Sequence, residues 1–95
     1  MADTPNVIEN AAAGQFEIHT DAGIAVLSYV LQGDALDLTH TLVPGQLEGQ
    51  GYGAALAKAA LDSARARGQK VIPTCPFVRT YLRRHKEYAD MVYQG

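Results

Sequence analysis

Between Pro44 and Leu56 the chain places four glycines, Gly45, Gly49, Gly51 and Gly53, and the spacing of its apolar residues changes across them. Before the glycines, Leu36, Leu38, His40 and Leu42 alternate with Asp37, Thr39, Thr41 and Val43, a period of two that predicts a strand over Ala35 to Val43 with the first set on one face. After them, Leu56, Ala57, Ala60, Leu61 and Ala64 form a stripe of helical period, which predicts a helix from about Gly51 to Arg67. A glycine lets backbone approach a ligand closely, and the unpaired N–H groups of a first helical turn, with the helix dipole behind them, favour an anion. A diphosphate is the natural occupant of such a connection. A tight turn with no ligand has the same spacing, and the glycines alone leave both readings open.

The segments on either side set the topology. Gln15 to Thr20 alternates with Phe16 and Ile18 on one face, Thr20-Asp21-Ala22-Gly23 signals a turn, and Ile24 to Gln32 is rich in β-formers. Gly33-Asp34 reverses the chain into the strand before the glycines, giving three antiparallel strands. Residues 1–14 read as a loose tail or a weak first strand. Arg65 and Arg67 close the long helix, Gly68 is its expected left-handed terminator, and Lys70 to Thr74 reads as a short strand. A right-handed crossover then sets that strand roughly parallel to Ala35–Val43. Pro76 fits a first helical position, which makes Cys75 the N-cap of a second helix buried through Phe77, Val78, Tyr81, Leu82 and His85. A short turn holding Tyr88, Met91 and Val92 follows. The expectation is an α/β (α+β) fold: a mixed, mostly antiparallel sheet, one long helix after the glycine-rich loop, and shorter C-terminal helices, all in one domain over 15–95.

Composition narrows the functional classes. Residues 1–57 hold seven acidic residues and no Lys or Arg, whereas residues 58–95 hold all eight basic residues and three acidic ones, so the halves stand at −7 and +5. The basic half suits a phosphate-rich ligand and the acidic half an amine, or both are solvated surfaces. Nucleic-acid binding calls for more net positive charge with interleaved aromatics, so no nucleic-acid partner is expected. No apolar run approaches a membrane span, and a lone Cys75 with histidines scattered at 19, 40 and 85 gives no metal-ligand spacing. A cytoplasmic protein without metal or membrane association is expected. Dinucleotide folds and P-loops are disfavoured, because three antiparallel strands precede the glycines and no Lys-Ser or Lys-Thr pair follows them.

Three stretches, Leu38-Thr39-His40-Thr41-Leu42-Val43-Pro44, the glycines up to Leu56, and Val71-Ile72-Pro73-Thr74-Cys75-Pro76-Phe77-Val78 continuing to Tyr81, His85 and Tyr88, resemble the GNAT N-acetyltransferases. Within them the resemblance is to the minimal single-domain, YjdJ-like branch, and it covers about Phe16 to Val92. It implies acetyl-CoA as cofactor and an amine as acceptor. Val43 would offer main-chain bonds to the pantetheine arm, and the amides of Gly49, Gly51, Gly53 and Ala54, with Gln50 and Tyr52 between them, would hold the pyrophosphate. Glu48 stands where the family has Arg or Gln, and Leu42 where relatives often have Glu. The helices that line the acceptor site in longer members have no room here, which leaves acceptor selectivity to short loops or a partner.

Three residues are candidates for catalysis. Cys75, at a helix N-terminus, is either an acylated nucleophile, a lining residue in direct transfer, or a buried structural thiol. Tyr81 matches the family's tyrosine that protonates the departing thiolate, and otherwise is a core aromatic. His40, the titratable residue among leucines, is the best available base or a hydrogen-bonded core histidine. His85 is expected to pack or cap, and His19 has no evident partner. Arg79, Arg83, Arg84 and Lys86 either meet the 3′-phosphate end of CoA or form a solvated helix face. The expected reaction is acetyl transfer from acetyl-CoA to a primary amine by a monomer or homodimer; the rival is a CoA-binding or protein-interaction module with little turnover.

Overall fold

The computed structural model describes residues 5–94; Met1 to Thr4 of the expected tail, and Gly95, lie outside the described residues. Five strands, β1 (Ile8–Asn10), β2 (Gln15–Thr20), β3 (Gly23–Gln32), β4 (Ala35–Leu42) and β5 (Lys70–Ile72), form one sheet in chain order. The first four are antiparallel, and β5 runs parallel to β4, as the crossover requires. Helix α1 (Tyr52–Ala66) makes that crossover, helix α2 (Pro76–Arg84) follows β5, and single 3₁₀ segments occupy Gly45–Leu47 and Lys86–Met91.

Helices α1 and α2 and the Lys86–Met91 segment pack on one face of the sheet. Phe16, Ile18, Ala25, Leu27, Leu36 and Leu38 from the strands meet Leu56, Ala57, Ala60, Leu61 and Ala64 from α1, with Val71, Val78, Tyr88 and Met91 closing the same core. The small alanines let α1 lie close to the sheet, while Leu56 and Leu61 are wholly buried and each stabilises the fold by about 2 kcal/mol. Arg67 caps α1 and Gly68 follows with φ of 70°, the left-handed exit that its composition signals.

The segment before Gln15 is a strand over Ile8–Asn10, paired with Gln15–Glu17. Glu9 fastens it to the helical layer: its carboxylate accepts from Arg67 at 2.8 Å and from the Tyr29 hydroxyl at 2.7 Å. The Arg67 guanidinium holds the Glu9 carboxyl below its ordinary range against the opposing effect of burial.

The expected face of β4 is corrected by the structure. Its pairing with β3 slips between Ser28 and Tyr29, so Ser28 opposes His40, Tyr29 opposes Leu38, and Thr39 is the extra residue of a bulge. Up to Leu38 the even positions face the core. Beyond it Thr41 and Val43 take the inner side, and His40 and Leu42 turn out to solvent, Leu42 being 63% exposed.

Candidate functional site

Pairing between β4 and β5 runs only from Ala35–Lys70 to Asp37–Ile72. The Cys75 amide then donates to the Leu38 carbonyl at 2.8 Å, the last main-chain bond between the two segments among the described residues. Past that point β4 parts from the start of α2. A groove of about 480 Å³ opens there, lined by Thr41 of β4, Val43 just beyond it, Leu47 to Gly49, the first turn of α1, and Phe77.

At the head of α1 the groove's wall is main chain. Gly49 and Gly51 adopt φ of 81° and 87°, a left-handed conformation that turns the chain sharply into α1, and neither has an atom within 4 Å of where a Cβ would stand. Gly51 is the N-cap and contributes no side-chain cap. Gln50 donates to the Leu47 carbonyl and Ala55 to that of Gly51, whereas the amides of Gly51, Tyr52, Gly53 and Ala54 find no acceptor among the described residues. These are the orphan donors of a helix start, and an anion satisfies them together with the dipole. The first turn of α1 carries no acidic residue to compete for them. Val43, Gly49, Gly51, Tyr52, Gly53 and Ala54, all expected at the cofactor site, line this one groove. Gln50 is not among the lining residues; its side chain donates back to the Gln46 carbonyl. Glu48 is, and makes no ion pair among the described residues.

The three catalytic candidates fall in different places. Cys75 is the N-cap of α2, 3% exposed, with its Sγ 3.3 Å from the Thr41 Oγ1, and Thr41 lines the groove. One side chain therefore separates the thiol from the groove. His40 lies on the opposite side of β4, with its Nε2 3.5 Å from the Ser28 hydroxyl. Tyr81 is buried, stacks on His85 with ring centroids 4.0 Å apart, and sits 6.3 Å from the Tyr88 ring. It is six residues beyond Cys75, or about 9 Å along the helix axis, and does not line the groove. Burial pushes its hydroxyl pKa up, so the phenol stays protonated at neutral pH.

His85 caps α2, its amide bonding to the carbonyls of Tyr81 and Leu82. Arg79 braces the entry to α2 through the carbonyls of Pro73 and Thr74, and Arg83 donates to Thr80. His19 does have a partner: its Nε2 lies 2.7 Å from Glu17, which also accepts from Gln15 and Asn10. Gln15 first, then His19 and Asn10, hold the Glu17 carboxyl at about 2. The i, i+2 spacing of Gln15, Glu17 and His19 on one strand face was the available signal. Thr41, Leu47 and Phe77 line the groove without being marked by the sequence pattern as site residues. Strict alternation puts Thr41 on the outer face of β4, which the bulge reverses, and helical spacing puts Phe77 in the core, whereas the residue is 42% exposed.

The arrangement has counterparts among known proteins. The sequence model of the GCN5-related N-acetyl-transferase family matches residues 15–91. The solution NMR structure of a GCN5-like protein from Staphylococcus aureus superposes with a TM-score of 0.74 at 26% identity, covering 97% of this chain and 91% of that one. The mixed five-stranded sheet, the groove at the head of α1 and the extent of these matches lead to one assignment: the chain belongs to the GCN5-related N-acetyl-transferase family, enzymes that transfer acyl groups.

Proposed function

We propose that the chain transfers an acetyl group from acetyl-CoA to a primary amine, and that residues 15–95 form the acyl-CoA domain. The observation that carries this reading is the set of unpaired amides at Gly51 to Ala54, opening into a groove that runs toward Thr41 and Cys75. The residues fit the group: orphan donors at a helix N-terminus suit a diphosphate, and the apolar side chains of Val43, Leu47 and Phe77 suit a pantetheine arm. Gly49, Gly51, Gly53 and Ala54 would hold the phosphates, and the main chain of Val43, past the end of the β4–β5 pairing, would hold the arm.

Bound there, acetyl-CoA supplies a thioester whose carbonyl carbon forms a C–N bond with a neutral amine while its C–S bond breaks and the thiolate takes up the proton that the nitrogen sheds. The chain's residues prepare that exchange. The cradle fixes the donor, which converts an encounter between two molecules into a reaction within a complex. Thr41 lines the groove beside β4, and Cys75, buried behind it against its hydroxyl, backs that wall for direct transfer. His40, on the solvent side of β4 next to Thr41, takes a proton from an ammonium group arriving across the sheet face that no described helix covers. Tyr81, out of the groove, holds α2 in place by packing.

A second reading, a CoA-binding or protein-interaction module with little turnover, is favoured by Leu42, which puts no carboxylate at its place on β4 to deprotonate an amine, and its protein-interaction form by Glu48, whose carboxylate in the groove opposes a diphosphate. Calorimetry with acetyl-CoA tests the groove, and thiol release measured against a panel of amines tests turnover. Tight binding with no amine-dependent release would leave the module and remove the enzyme.

A further inference from the structure

The glycines at the head of α1 do not share one reason for lacking a side chain. Gly49 and Gly51 have positive φ and open space before them. Gly53 is helical, the second residue of α1, and a Cβ built on it would stand 2.8 Å from Cζ, 3.1 Å from Cε2 and 3.3 Å from Cε1 of Phe77. The position is filled by the far end of an aromatic ring. Phe77 is in turn the second residue of α2, two positions from Cys75, and it remains 42% exposed while its neighbour Val78 is wholly buried. The ring thus spans from the N-terminus of α2 to the N-terminus of α1, the two elements that face each other across the groove, and forms part of the groove's lining.

We infer that Phe77 is the spacer that sets the width of this groove, and that Gly53 is glycine to seat its ring. Beyond lining the groove for the pantetheine arm, Phe77 acts as a positioning residue: it holds the amide cradle of α1 at a fixed separation from the Thr41–Cys75 end, without contacting the reacting atoms. The inference rests on the acetyl-CoA reading above. It reassigns Gly53, whose missing side chain the phosphate-cradle argument attributes to close approach of the ligand.

A double-mutant cycle separates the two explanations. Dissociation constants for acetyl-CoA are measured by calorimetry on the full chain as wild type, Gly53→Ala, Phe77→Ala and the double variant, with thermal unfolding recorded for each. Gly53→Ala alone displaces the ring from its seat and is expected to weaken binding about tenfold, a change of about 1.4 kcal/mol. Once Phe77→Ala has removed the ring, adding Gly53→Ala is expected to change the constant by less than about twofold, the scatter of independent sites. In that background it also raises Tm, because alanine is the better helix former. Equal losses in both backgrounds would mean that ligand approach keeps the position bare, which overturns the spacer and leaves the acetyl-CoA site standing. A fall in Tm on adding Gly53→Ala to Phe77→Ala would overturn it as well, since another atom would then be crowding the Cβ. Absence of wild-type binding removes both readings together. Phe77→Leu, which shortens the reach of the side chain, takes the place of Phe77→Ala in the cycle if the latter does not fold.

Discussion

Gly51 allows the conformational and the ligand-facing roles of the glycine loop to be measured apart. Its φ of 87° and ψ of 7° lie in the left-handed region, and nothing stands within 4 Å of a Cβ built there. Alanine at this position pays only the backbone penalty, about 1–2 kcal/mol, which in a domain of this size lowers Tm by roughly 5–15 °C. Asparagine visits the left-handed region readily and is a good N-cap, so Gly51→Asn is expected to unfold within about 3 °C of the wild type. Its side chain nevertheless enters the open space that a diphosphate would fill. Loss of one charge-assisted bond costs about 1.5–3 kcal/mol, so acetyl-CoA affinity is expected to fall roughly 10- to 100-fold. The assays are thermal unfolding and calorimetry on the same preparations. A Gly51→Asn protein that is stable and binds acetyl-CoA as tightly as wild type would refute the cradle, because the room before this amide would then be empty in the complex.

Three further outcomes are expected. Thr41→Val removes the hydroxyl that contacts Cys75 Sγ and is expected to lower kcat about three- to tenfold, the worth of one hydrogen bond, with KM for acetyl-CoA little changed; steady-state kinetics would show it. Glu17 has a folded-state pKa depressed from 4.5 to about 2, so its contribution is whole above the unfolded value and is lost as pH falls through the folded one. Urea midpoints measured down this range should fall between those two values, and Glu17→Gln should flatten that part of the profile. Burial, and then the hydroxyl's bond to Asp62, raise the Tyr88 pKa to about 12, and Tyr88→Phe breaks that bond. It is expected to cost about 1 kcal/mol in chemical unfolding and to leave acetyl-CoA binding unchanged, since neither residue lines the groove.

What could be read from residue order was local. The change of apolar period across the glycines placed α1 within a residue at each end, Pro76 placed Cys75 at its N-cap, and Gly68 marked the exit of α1. Each of those signals acts within one turn of the chain. The contacts that shape the site join distant segments and left no such mark. Gly53 meets Phe77 across 24 positions of sequence, and its glycine reads like its neighbours until the ring is seen. Asn10 bonds Glu17 only because β1 pairs with β2, and three residues before the Ala11-Ala12-Ala13-Gly14 turn gave too short a pattern to specify that strand.

The bulge at Thr39 is the most consequential of the hidden features. No glycine or proline announces it, and strict alternation through Leu42 is the natural reading of Leu-x-Leu-x-His-x-Leu. A strand's side chains change face with every residue, so one extra residue reverses all that follow. Under strict alternation His40 and Leu42 would look into the core and Thr41 into solvent. With the bulge, Thr41 and Val43 form a groove wall, Thr41 reaches Cys75, and His40 moves to the side from which an acceptor would come. The β4–β5 pairing stops just before the bulge, at Asp37, and the groove opens just after it. One inserted residue thus coincides with both requirements of the proposed chemistry: a gap beside β4, and donor-facing and acceptor-facing side chains from consecutive residues on its two sides.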